Sequence, residues 1–236
     1  MAWADALGWA SAVHSLRGDL EAAGALVDRM RALVAALDDQ QMQAGLVISE
    51  GFLDLARGRV TAARKRWQSV PEVTHIAQWW SYAVEMAGHA ALLERDAPAA
   101  RLNDEQLRSI PAYGGWIEAA RATLAAGRNA LEGRRSEAVA TYQDAGLRWR
   151  DLGAPFPLAL MLLEAGLLLG PDDPFGRTSS DEAREILEQL GARSLLALLE
   201  ASPEAAHAPA IAAEARVPGR SHRPERAGRR VAAPKG

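Results

Sequence analysis

Four times along the chain a turn residue is followed five positions later by an alanine. The pairs are Gly18/Ala23 in "RGDLEAA", Gly58/Ala63 in "RGRVTAA", Arg95/Ala100 in "RDAPAA" and Gly133/Ala138 in "GRRSEA". Successive anchors stand 40, 37 and 38 residues apart. Periods of that size belong to units that cannot bury their apolar faces alone and do so by stacking on one another. Each anchor lies between two stretches of helical periodicity. Val47, Ile48, Phe52 and Leu55 form one apolar stripe before Gly58, and Ala62, Ala63, Trp67 and Val70 form another after it. The glycine suits a tight helix-to-helix turn, which needs a left-handed residue just past the first helix. The alanine lets the two helices of a hairpin approach closely.

Local propensity points the same way. Alanine and leucine dominate, β-branched residues are sparse, and only 3 phenylalanines occur in 236 residues, so helix is favoured over strand almost everywhere. With 49% hydrophobic and 24% charged residues the chain is long and apolar enough to bury a core. The absence of cysteine excludes disulfides, thiolate nucleophiles and cysteine metal sites. The N-terminal "MAWADALGWASAVHSLRG" lacks the basic and apolar regions of a secretory signal. The most apolar run, "APFPLALMLLEAGLLLGP", carries Glu164 in its middle and lies between prolines closer together than the roughly 20 residues of a membrane span. It reads as a buried helix, and the expected location is the cytoplasm.

Two further positions move with the anchors. Seven residues before them stand Ser11, Gly51, Gly88 and Ala126, all small; nine residues after them stand Val27, Trp67, Asp104 and Tyr142. This pattern resembles the tetratricopeptide repeat over roughly residues 4 to 150. The units are longer than the family's usual length, the family's closing proline is mostly missing, and Arg95 and Asp104 make the third unit degenerate. The resemblance implies an all-α, right-handed solenoid of about five stacked hairpins. A fifth unit follows, with "PLALMLLEAGLLLG" as its first helix, "PDDPFGRTS" as an exposed connection and "SDEAREILEQLG" as its second helix. Ser179 and Glu182 have the spacing of a capping box that would start that helix. "ARSLLALLEAS" supplies a short closing helix over the end of the stack.

The organisation expected is therefore a repeat domain over residues 1–202 and a disordered tail over 203–236. From Arg216 onward the tail carries a formal charge of +6, leaving −9 on residues 1–215 out of a total of −3. It has almost no large apolar side chains to offset its chain entropy. Such a tail can attract phosphates weakly and in a salt-sensitive way, but lacks aromatics for base stacking.

Catalytic signatures are absent: there is no GxxxxGK[ST], GxGxxG, GxSxG or HExxH. The histidines His14, His75, His89, His207 and His222 form no i, i+4 pair and no ligand cluster, so neither metal nor cofactor is expected. Glu50 and Asp54 share a helix face, which reads as a solvated edge rather than an active site. The most distinctive group is aromatic: Trp79, Trp80 and Tyr82, with Tyr113 and Trp116 about one repeat on. Either these residues are core or they line a groove. The resemblance implies a concave groove formed by first-helix side chains, at Ile48, Phe52 and Leu55 in the second unit and Tyr82, Glu85 and His89 in the third. In the fourth unit the matching positions are Thr123, Gly127 and Ala130. The mix is apolar and polar rather than basic, which suits an apolar helix or peptide.

The phrases "EGRRSEAVATYQDAGLRWRDLGAPFPLALMLLEAGLLL" and "DEAREILEQLGA" also resemble the C-terminal helical region of bacterial LuxR-type activators and of class III adenylate/guanylate cyclases that carry an ATPase module. That resemblance implies an upstream nucleotide-binding ATPase domain and either a cyclase domain or a DNA-binding helix-turn-helix, whose motifs this sequence lacks; the expectation is a non-enzymatic scaffold or sensor module of such a signalling or transcriptional regulator, binding a protein or peptide partner in its concave groove. The alternatives are a regulatory fragment whose cyclase or ATPase domains are encoded upstream, and nucleic-acid association through the basic tail.

Overall fold

The computed structural model describes residues 2–37 and 39–205, with side chains described between residues 6 and 201. Among these residues the chain is all-helical and contains no strand. The helices are α1 (Ala2–Leu16), α2 (Leu20–Leu37), α3 (Gln40–Ala56), α4 (Val60–Gln68), α5 (Val70–Val73), α6 (Ala77–Leu93), α7 (Ala97–Ser109), α8 (Gly115–Leu131), α9 (Arg135–Asp151), α10 (Pro155–Leu169), α11 (Pro174–Leu190) and α12 (Arg193–Ala205). Apart from the single turn α5, helices pack as consecutive hairpins: α1/α2, α3/α4, α6/α7, α8/α9 and α10/α11.

The anchors sit in the tight turns, as their spacing predicts. Gly18, Gly58 and Gly133 have φ of 79°, 72° and 76°, and Arg95 holds the same left-handed region at φ 55°. Arginine carries a Cβ penalty there that glycine avoids. Its guanidinium Nη2 offsets this by donating to the carbonyl of Leu167, 2.6 Å away on α10. The alanines five residues on, Ala23, Ala63, Ala100 and Ala138, are all buried.

The small positions are explained by what covers them. The indole of Trp67 lies on Gly51 so closely that any Cβ there would overlap the ring. Its Nε1 donates to the Ile48 carbonyl at 3.2 Å. Between α6 and α8 the arrangement is reciprocal: Leu124 rests on Gly88 and Leu92 rests on Gly127. Asp104, which breaks the large-residue pattern, is fully buried, and charge balances it: Arg128 Nη1 lies 2.7 Å from Oδ2 and Arg108 Nε 2.9 Å from Oδ1. Glu50 and Asp54 bind arginines, Glu50 pairing with Arg31 and Arg66 and Asp54 with Arg59 and Arg66.

Two sequence expectations are corrected. Ser179 does not cap the second helix of the fifth unit. That helix already starts at Pro174, because the Asp173 carboxylate accepts from the amides of Phe175 and Gly176 and proline fits the first helical position. Ser179 is a buried mid-helix residue. Helix α12 packs on α10 and α11, as a closing helix should, and also on α1 and α3, but it runs to Ala205, past the expected end of the repeat domain at residue 202. Ser194 Oγ donates to the Ser15 carbonyl at 2.8 Å and Leu195 is fully buried, so the last helix is fastened to the first. The basic segment from Arg216 onward lies outside the described residues. No helix among those described is long and apolar enough to cross a membrane.

Candidate functional site

The first helices of the hairpins draw together at one level and part at another. Between α6 and α10 the link is polar and buried: His89 Nδ1 lies 2.6 Å from Glu164 Oε1. Toward the N-terminal ends of the same helices the packing opens into a cleft of about 970 Å³. All five hairpins contribute: Trp9 from α1, Gln41 from α3, Trp79 and Tyr82 from α6, Trp116 from α8, and Phe156 and Leu160 from α10. The segment before α8 adds Tyr113, which is 91% exposed.

The walls are aromatic and interlocked. Trp9 meets Tyr82 edge-on with ring centroids 5.7 Å apart, and Trp116 meets the buried Trp149 edge-on at 5.0 Å. Such contacts fix ring orientation beyond what area burial alone provides. At the deep end lie Glu85 and His89, each at least nine-tenths buried yet lining the cleft. Glu85 Oε2 accepts from Trp116 Nε1 at 3.1 Å, tying the carboxylate to the wall. Its Oε1 stands 3.8 Å from His89 Nε2, too far for a hydrogen bond, and that nitrogen has no other partner.

Electrostatics at the floor follow from counting charges. Burial alone would depress the His89 imidazole, but the charge and hydrogen bond of Glu164, reinforced by Glu85, outweigh it and raise His89 to about 10. Burial pushes the Glu164 carboxyl up, partly opposed by His89. The cluster therefore retains protons that the same groups would release in water. Tyr82, beside Glu85, and Tyr142, beside Glu164, are both raised first by burial and then by the neighbouring carboxylate. Two carboxyl groups, Glu85 and Glu164, face the single imidazole of His89, and no lysine or arginine lines the cleft.

The six groove residues expected from sequence divide evenly. Tyr82, Glu85 and His89 come together in the cleft with Trp79, Tyr113 and Trp116. Ile48, Phe52 and Leu55 do not line it; they are core, at 5%, 1% and 4% exposure, because α3 turns that stripe toward α4 and α6. Phe52 packs edge-on against Trp67 at 5.5 Å. The fourth-unit positions are also structural: Thr123 Oγ1 accepts from Trp149 Nε1 at 3.0 Å, Gly127 receives Leu92, and Ala130 packs against the core. Trp80 is half-buried against the core rather than in the cleft.

Sequence reasoning missed Trp9, Phe156 and Glu164. For Glu164 a signal existed: a single acid within "LALMLLEAGLLL" must find a partner when its helix is buried. Among the described residues no cluster of His, Asp and Glu is arranged to hold a metal ion. Comparison with family models, with curated proteins and with solved structures finds no match.

Proposed function

We propose that this chain is a non-enzymatic binding module, a sensor or scaffold piece of a signalling or transcriptional regulator, and that its partner enters the aromatic cleft. On this reading the hairpins form a tetratricopeptide-like superhelix wound tightly enough for α12 to reach α1. One observation carries it: a cleft of about 970 Å³, to which all five hairpins contribute, keeps Trp9, Tyr113 and Trp116 solvent-exposed around its lining. Concave, mostly apolar cavities of this size with a few convergent polar groups are what recognition sites look like. Exposing large aromatics together is costly unless something covers them. The polar floor suits recognition rather than turnover, since Glu164 is fully buried behind His89, away from any reactant.

Photo-crosslinking tests this. A benzoylphenylalanine placed at Tyr113 should capture a discrete partner in cells, while the same group at Leu102, 57% exposed on α7, should not. Capture at Leu102 but not at Tyr113 would move the interaction away from the cleft. Sequencing the DNA upstream of the coding frame tests the regulator assignment: a frame encoding a phosphate loop favours the fragment alternative.

A further inference from the structure

We propose that the cleft recognises an alkylammonium group carried on an apolar or aromatic body, with its N–H groups donating to Glu85 Oε1. This rests on the reading that the cleft is the binding site, and it names the chemistry that fills it.

Three independent features converge. The first is an acceptor held in the cleft: Glu85 is nine-tenths buried, its Oε2 accepts from Trp116 Nε1 at 3.1 Å, and its Oε1 stands 3.8 Å from His89 Nε2, beyond hydrogen-bond length. An ammonium entering the cleft finds Oε1 without a hydrogen bond of its own.

The second is charge. Glu85 on α6 and Glu164 on α10 face the single imidazole of His89, Tyr82 and Tyr142 are neutral phenols beside them, and no lysine or arginine lines the cleft. An anion entering this floor would meet the Glu85 carboxylate and the negative faces of the rings. The helix N-termini around the mouth favour anions, but that effect fades within the first turn. Glu85 lies well beyond the first turn of α6, which starts at Ala77.

The third is the wall. Trp9, Trp79, Tyr82 and Trp116 surround the approach to Glu85, and aromatic faces attract organic cations while covering the attached hydrocarbon. The volume exceeds what an inorganic cation needs and falls within the range of small-molecule sites.

Calorimetric titration of the full chain with phenethylammonium, phenethyl alcohol and 3-phenylpropionate tests the proposal, with Glu85→Gln as the variant. Phenethylammonium should bind, the alcohol and the carboxylate at least about tenfold more weakly, and Glu85→Gln should lose about tenfold for the amine alone, as expected for a charge-assisted hydrogen bond. The neutral and anionic probes act on the unaltered chain, so they decide the question even where the variant folds poorly. Equal or tighter binding of the alcohol or carboxylate overturns the ammonium assignment and leaves the cleft a binding site. No heat from any probe at millimolar concentration overturns both. A capped Ala-Ala-Lys-Ala-Ala peptide separates the sources of the shared chemistry: tighter binding than the free amine assigns the group to a partner's lysine, and weaker binding assigns it to a free small molecule.

Discussion

The two ends of the hairpins are built on different principles. At the turn end the first four units repeat one another: a left-handed residue, an alanine five later, and a glycine or other small residue seven before. The contacts there stay within a hairpin, as between Gly51 and Trp67, or run to the next one, as between Gly88 and Leu124. At the cleft end nothing repeats. The floor pairs His89 with Glu164, 75 residues away, and the walls take one or two aromatics from several helices. Regularity supplies the scaffold, and departure from regularity supplies the site.

The comparison can be broken at either end. The largest loss is expected at the repeat end: Trp67→Ala removes a fully buried indole and leaves a cavity, costing about 3–5 kcal/mol in urea unfolding. A cost below about 1 kcal/mol would mean that the hairpin does not depend on this packing. Next comes the floor. His89→Leu leaves Glu164 buried without a partner and should cost about 3 kcal/mol near neutral pH, whereas the His89→Leu/Glu164→Leu pair should recover most of that. If the double variant is no better than the single one, the pair is not an energetic unit.

The same pair gives a pH signature with a definite sign. His89 is raised above its ordinary value of 6.5, so its contribution is complete below that value and is lost as pH rises toward about 10. Unfolding free energy should therefore decline across that window in the native chain and more gently in the double variant. Identical slopes in the two proteins would contradict the ion pair. A smaller effect follows at Gly51, where Gly51→Ala drives a methyl into Trp67 and should cost about 1–3 kcal/mol. Smallest is Arg101→Ala: it removes an exposed arm of the Arg101–Glu132 bridge between adjacent hairpins and should change melting by no more than the ~0.2–1 kcal/mol of a surface pair.

How much of this was legible follows from the same contrast. The hairpins, their turns and the buried alanines could be read from spacing, since each depends on residues a few positions apart. Arg95 and Asp104 looked like decay of the repeat, yet each has a distant partner, Leu167 and Arg128, that no local pattern encodes. Ser179 matches a capping pattern, while Asp173–Pro174, six residues earlier, carries the stronger start signal inside a Pro- and Gly-containing segment that reads as a loop. The cleft was half visible. Tyr82, Glu85 and His89 were found because the groove positions of a repeat happen to fall on them. Trp9, Phe156 and Glu164 were not, because which first helices converge depends on how the whole set of hairpins winds and on α12 fastening to α1.

The aromatic cleft above Glu85 and His89 as the place where this protein binds is tested most directly by the indole N–H signals of the tryptophans. In a ¹⁵N-labelled full chain titrated with phenethylammonium, Trp9, Trp79 and Trp116 should shift together and saturably, while Trp67, buried away from the cleft, stays put. Saturable binding that leaves those three signals unmoved, or moves Trp67 first, would contradict it.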